Sequence, residues 1–166
     1  MRVFAIDPGN THSAYCVVDA ETLRTFDFAK VPNDGLRNYI RGYRFEEDDR
    51  AVVERIQCYG MPAGRELFET SEWIGRFREC LDRRLLIPSD IIYRPEEKLH
   101  LCHDSRAKDA NIRRALIDRF AQHDLKNGKG TKKAPDWFYG FSADVWAAYA
   151  VAITFIETRL KSDFGE

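Results

Sequence analysis

No long hydrophobic run occurs in this 166-residue sequence. Its longest apolar stretch, within Val145–Ile156, falls far short of the roughly 20 residues that span a bilayer, so no membrane segment is expected. A basic leader ahead of an apolar run is missing too. Val3–Ile6 passes straight into Asp7, which leaves no room for a signal peptide, and a soluble cytoplasmic protein is the expectation. There is no CxxC pair. Cys16, Cys58, Cys80 and Cys102 stand far apart, a spacing that speaks against a structural zinc site and offers no disulfide framework. They read as buried thiols in a reducing compartment. Nor is there an excess of one charge: 26 Lys and Arg face 27 Asp and Glu, a net charge of −1. The whole-chain field is therefore weak, unlike that of most nucleic-acid binders. Gly128-Lys129-Gly130-Thr131 lacks the spacing of a phosphate-binding P-loop. Internal repeats and low-complexity tracts are also missing.

What is present is core-forming. An apolar share of 44% and an aromatic share of 13% are enough for one globular domain over residues 1–166. Val3–Asp7, His12–Asp19 and Thr22–Phe28 read as strands joined by short loops, and Pro32–Gly35 as a turn before a short helix through Ile40. Ala51–Tyr59 reads as a strand. Arg65–Leu86 is amphipathic, with Leu67, Phe68, Trp73, Ile74, Phe77, Leu81 and Leu85 near helical spacing. Ile87–Tyr93 returns to strand character and leads into a strand-to-loop segment. Asp104–Leu125 is helical, Asn127–Pro135 is a flexible basic loop, and Ser142 caps a helix over about Ala143–Leu160. Three hairpin-linked strands followed by alternating strands and helices predict an α/β fold with a five-stranded mixed sheet and helices on both faces.

The balanced charge hides a division. Arg94–Lys133 holds eleven basic residues against six acids, a local charge near +5. Within it, Lys126, Lys129, Lys132 and Lys133 read as a mobile arm suited to phosphate contacts. Three acids interrupt the most apolar segments. Asp7 closes the first strand, where a lone charge is costly unless paired or metal-bound. Glu54 shares a strand face with Val52 and Ile56. Asp144 opens an otherwise apolar helix, a position the helix dipole alone favours. Carboxylates brought together repel unless protonated or neutralised. Oxygen-only ligation suits Mg²⁺ or Mn²⁺, and a pair of such ions is the usual arrangement for phosphodiester hydrolysis.

The run Phe4–Asp19 (FAIDPGNTHSAYCVVD) resembles the opening of the RuvC Holliday-junction resolvases, in which a DPG triplet closes the first strand. Val52–Gly60 (VVERIQCYG) is similar to that family's second acidic strand. Tyr93–Leu116 (YRPEEKLHLCHDSRAKDANIRRAL) is similar to its two-lysine segment, and Ser142–Ile153 (SADVWAAYAVAI) to its C-terminal helix. The resemblance covers nearly the whole chain and implies an RNase H-like fold. It implies a crossover-junction endodeoxyribonuclease that cuts branched DNA, with Asp7, Glu54 and Asp144 as catalytic metal ligands and Lys98 and Lys108 as basic residues near the scissile phosphate. Two Mg²⁺ or Mn²⁺ ions, 5′-phosphate and 3′-hydroxyl products, a homodimer and a phage or bacterial recombination, repair or genome-processing setting are implied as well. No nucleotide cofactor and no membrane partner are. The family's fourth ligand, Asp or His, falls on Phe141 here, which leaves Asp136 or water to complete a site. For the aromatic that wedges into a junction, Tyr59 and Tyr139 are candidates.

Three other readings stand beside this one. Asp7–Thr11 (DPGNT) also resembles the phosphate-contacting first hairpin of the actin-like kinases, including the type III pantothenate kinases. That reading needs two domain copies with ATP between them. A ribosomal-RNA-processing nuclease would share the fold, since fold does not choose substrate. A non-catalytic nucleic-acid-binding protein could keep the acids without using them. His100 and His103 flank Cys102, but a strand-to-loop segment does not present them on one face for zinc.

Overall fold

Alternation along the central strands decides which side of the sheet each residue meets. β1 (Arg2–Asp7), β2 (His12–Asp19) and β3 (Thr25–Pro32) form an antiparallel meander, and β4 (Arg50–Arg55) and β5 (Asp90–Tyr93) add in parallel. The sheet order is β3-β2-β1-β4-β5, so the first strand is central. This computed structural model describes residues 1–57, 60 and 62–161, with only the backbone of Ala143. Cys58 and Tyr59, the end of the expected fourth strand, lie outside the described residues.

One face of the sheet presents Phe4, Ile6, Tyr15, Val17, Ala51 and Val53 to α1 (Asn33–Gly42) and α2 (Arg65–Leu85). Leu36 and Ile40 of α1 and Ile74, Phe77 and Leu81 of α2 complete that core. The other face presents Val3, Ala5, Cys16, Val18, Val52 and Ile92. It is covered chiefly by α5 (Ala143–Phe155), which packs against β1, β2 and β4, with α3 (Arg94–Cys102) and α4 (Asp109–Phe120) beside it. A helix apolar on every side needs neighbours all round, and α5 has them. It continues into a π-helical turn at Ile156–Leu160.

The expected elements recur with shifted bounds: β3 runs on to Pro32, α1 starts at Asn33 where a turn was expected, β4 stops at Arg55, and α4 spans Asp109–Phe120 rather than Asp104–Leu125. Four departures have a visible physical cause. β3 begins later, because Asp19 Oδ1 accepts the N–H groups of Glu21 and Thr22 and the Thr22 hydroxyl, which holds residues 20–24 in a turn. β5 begins at Asp90 because Ser89 donates its N–H to Asp82 at 2.6 Å and accepts from Arg78, a link back to the end of α2. The expected strand-to-loop segment after Tyr93 is a helix, α3. Pro95 sits in its first turn and Glu96 accepts the Tyr93 N–H at 3.0 Å, both helix-starting devices. The basic loop is pinned rather than free. Asp124 accepts the N–H groups of Asn127, Lys129 and Gly130, and Gly130 bridges to Pro135. Of the cysteines described, Cys16 and Cys80 are buried and Cys102 is half-buried, all as free thiols. Among the described residues no helix is long and apolar enough to cross a membrane.

Candidate active site

Val3, Ala5 and Asp7 alternate onto the α5 face of β1, as Val52 and Glu54 do on β4. The parallel register pairs Ile6 with Val53, so Asp7 and Glu54 follow side by side where the two strands end. α5 crosses the same face and brings Asp144 in its first turn. Asp7, Glu54 and Asp144 thus line one cavity of about 490 Å³, together with Arg94, Asp109, Ile112, Arg113 and Trp146.

Desolvation, and then the neighbouring Glu54 carboxylate, hold the Asp7 carboxyl well above the usual carboxylate range. Arg94 pulls in the opposite direction, and Asp144 adds to the rise. Arg94, the first residue of α3, is the chief cation of the cavity. Its Nη1 lies 3.1 Å from Glu97 Oε2 and 3.8 Å from Glu54 Oε2, and its Nη2 donates to Asp109. Burial pulls the guanidinium pKa down, but Glu54, Glu97 and Asp109 outweigh it and hold the charge firmly on. Glu97 is fully buried and its Oε1 has no hydrogen-bond partner. Desolvation and Glu54 push its carboxyl well up. Opposite, Lys30 of β3 forms an ion pair with Asp144. Arg113 lies over the Trp146 ring at 4.8 Å.

The other expected site residues lie elsewhere. Lys98 is half-buried on α3, and Lys108 is exposed at the start of α4, where its N–H donates to Asn111 and it borders a separate cavity with Arg106 and Arg114. Neither lines the acid cavity. Asp136 is not there either. Its oxygens accept the backbone N–H groups of Gln122, His123, Asp124 and Trp137, which outweigh burial and hold its carboxyl well below the usual range. A carboxylate so engaged has no free lone pair directed at the cavity. Phe141 is 2% exposed and packs against Phe28, Phe138, Trp146 and Tyr149. Tyr139 is exposed, away from the cavity lining. Tyr59 lies outside the described residues.

Sequence reasoning passed over Arg94, Glu97 and Lys30 as site residues. Arg94 and Glu97 sat in a segment read as loop, where the (i, i+3) relation carries no spatial meaning. The signal that places them is the helix start at Pro95. Lys30 looked like an ordinary edge-strand lysine. His100, on the same helix, has its Nε2 2.7 Å from Glu157.

The loop after β1 is built around backbone contacts. Gly9 donates its N–H to Ser13 Oγ at 3.0 Å, and its carbonyl accepts from Asn33 Nδ2 at 2.9 Å. A Cβ at Gly9 would stand 2.2 Å from the His12 carbonyl oxygen, so only glycine fits. The Gly9 N–H is therefore engaged internally rather than offered to a nucleotide phosphate.

Among the described residues no group of three or more His, Cys, Asp or Glu stands gathered as a ready ion site. The donor chemistry nevertheless suits a hard divalent cation. It is all oxygen, two of its carboxyls are held up by burial beside like charge, and one buried carboxylate oxygen lacks any partner.

No protein-family model matches the chain, and no curated protein matches it. Solved structures do. The chain is similar to the Thermus thermophilus RuvC structure, with a TM-score of 0.64, 20% identity and 97% of each chain covered. It is also similar to T. thermophilus RuvC in complex with a Holliday junction substrate, with a TM-score of 0.68, 19% identity, and 98% of this chain and 97% of that one covered. The five-stranded mixed sheet with helices on both faces is the RNase H-like fold in its RuvC-type form.

Proposed function

We propose that the chain is a metal-dependent, structure-selective endodeoxyribonuclease that cleaves Holliday junctions and related branched DNA. The observation that carries this reading is one cavity at the strand ends that collects Asp7, Glu54 and Asp144 in a RuvC-type fold. Asp7, Glu54 and Asp144 would hold Mg²⁺ or Mn²⁺. When bound, such an ion supplies Lewis acidity to a phosphoryl oxygen and an activated water for in-line attack.

The remaining work falls to the chain's own side chains. Arg94 and Arg113 present positive charge in the cavity, and a guanidinium can grip phosphate oxygens through two parallel N–H bonds. Arg94 is held by Glu54, Glu97 and Asp109, so it meets a phosphate with little further ordering cost. Trp146 and Ile112 give one side of the cavity an apolar wall that limits water. Attack in line with the departing 3′ oxygen leaves 5′-phosphate and 3′-hydroxyl ends. Lys98 and Lys108, outside the cavity, would act as anchors for flanking phosphates. A four-way junction has two-fold symmetry, and a C₂ dimer with both sites on one face meets it.

The test is a cleavage panel in Mg²⁺ and in Mn²⁺: a four-way junction, a three-way junction, a flap, linear duplex, single strand and an RNA–DNA hybrid, each beside Asp7→Asn. Paired symmetric nicks in the four-way junction, absent with D7N, are the expected result. Cleavage confined to RNA would remove the DNA-resolvase reading. Retained cleavage by D7N would remove the assignment of the site.

A further inference from the structure

We propose that the acid cavity takes one divalent cation rather than two, with the Arg94 guanidinium and the Lys30 ammonium supplying, on the acids they pair with, fixed positive charge in place of a second ion. The proposal rests on the metal-dependent reading above and deepens it.

Three observations carry it. First, the acids are already partly engaged by side-chain cations. One Arg94 nitrogen spans Glu97 and Glu54 at 3.1 and 3.8 Å, the other donates to Asp109, and Lys30 pairs with Asp144. Second, the position one turn before Asp144 offers no oxygen donor that could add a further ligand to Asp7, Glu54 and Asp144. Phe141 stands one turn before Asp144 and is locked in an aromatic cluster, and Asp136 is bound by four backbone N–H groups. Water can fill one open position, but it adds no negative charge to hold a second dication. Third, the local charge closes on one ion. The carboxylates in and behind the cavity are Asp7, Glu54, Glu97, Asp109 and Asp144, and the cations facing them are Arg94, Arg113 and Lys30. Even with every carboxyl ionised, the most negative case, five negative charges against three positive leave −2, which one Mg²⁺ or Mn²⁺ neutralises. A second would leave the cavity at +2 before substrate arrives.

Chemically, the fixed cations would offset charge on the phosphate without being exchangeable. Metal dependence should then follow a single-site curve, and the second function of an ion should survive chelation.

The experiment counts bound Mn²⁺ on the full chain by electron paramagnetic resonance of the free ion, checked by calorimetry. The expected count is one equivalent for the wild type, none for D7N, and two for the charge-removing pair Arg94→Gln with Lys30→Gln. The charge-keeping pair Arg94→Lys with Lys30→Arg should stay at one. Thermal melting confirms that each variant is folded, and if the double Gln variant is not, R94Q alone replaces it. Two equivalents on the wild type, with one or both lost in D7N, would overturn the single-ion proposal and leave the metal-dependent reading standing. So would a folded R94Q/K30Q protein that still binds one. No Mn²⁺ on the wild type would overturn both.

Discussion

Asp7 answers two opposed demands. Burial beside Glu54 makes its charge costly, while the proposed ligation of a cation would require that charge. Asp7 and Glu97 both have carboxyls held up in the folded state. A raised acid binds more protons folded than unfolded, so the stability it contributes is present below the ordinary carboxylate value, near pH 4, and is lost as pH rises through the elevated native value. In chelator, the melting temperature should therefore fall between about pH 4 and neutrality. Asp7→Asn should flatten that fall and raise the neutral-pH melting temperature by several degrees, on the scale of about 2–4 °C per kcal/mol for a chain this size. Cleavage by the same variant should be abolished. A pH-independent melting curve for the wild type would contradict this account of the buried pair. At this scale, Asp7, Glu54 and Asp144 were legible because each breaks an apolar run. Arg94, Glu97 and Lys30 were not, since a charged residue in a polar stretch looks like solvated surface until its partners are known. Phe141 was legible as a departure, and the structure gives it a core role in an aromatic cluster.

Elements were most legible where periodicity was strong. β2 and α2 match their expected bounds almost residue for residue, because alternation and an amphipathic stripe bind sequence to a buried face. α3 lies where the sequence reads as an extended, proline-led segment; a proline in a first turn, followed by a glutamate, opens a helix instead. The loop between α4 and α5 is another difference. Its four lysines suggested mobility, yet Asp124 and Asp136 collect its backbone N–H groups and those at the end of α4. Asp136 has a depressed carboxyl, so its contribution is present above the ordinary carboxylate value and is lost as pH falls through the native one. Asp136→Ala should cost about 2–3 kcal/mol at neutral pH, because several buried N–H donors lose a charged acceptor. Its cost relative to the wild type should shrink at about pH 3. Mn²⁺ binding should be unaffected. A D136A protein of normal stability that had lost metal would instead place Asp136 in the site.

For the whole molecule, a net charge of −1 means that any affinity for nucleic acid is local. Arg94 and Arg113 line the cavity, and Lys98, Lys108 and the lysine loop carry positive charge elsewhere on the surface. With roughly three or four phosphate contacts, binding to a four-way junction should weaken on the order of 100-fold between about 50 and 200 mM salt. Fluorescence anisotropy with D7N in chelator would measure it, and a flat response would place the binding energy outside these cations. The order of the elements has a consequence for biosynthesis. α5 supplies both Asp144 and most of the apolar cover for one face of the sheet, and it is made after every strand. A chain still emerging from the ribosome with all five strands but no α5 would expose Val3, Ala5, Val52 and Ile92 and hold Asp7 and Glu54 without their third partner. The acid site and the larger core therefore come into being in one event, late in synthesis, and a product interrupted before Ala143 would both lack the third acid and be prone to aggregate.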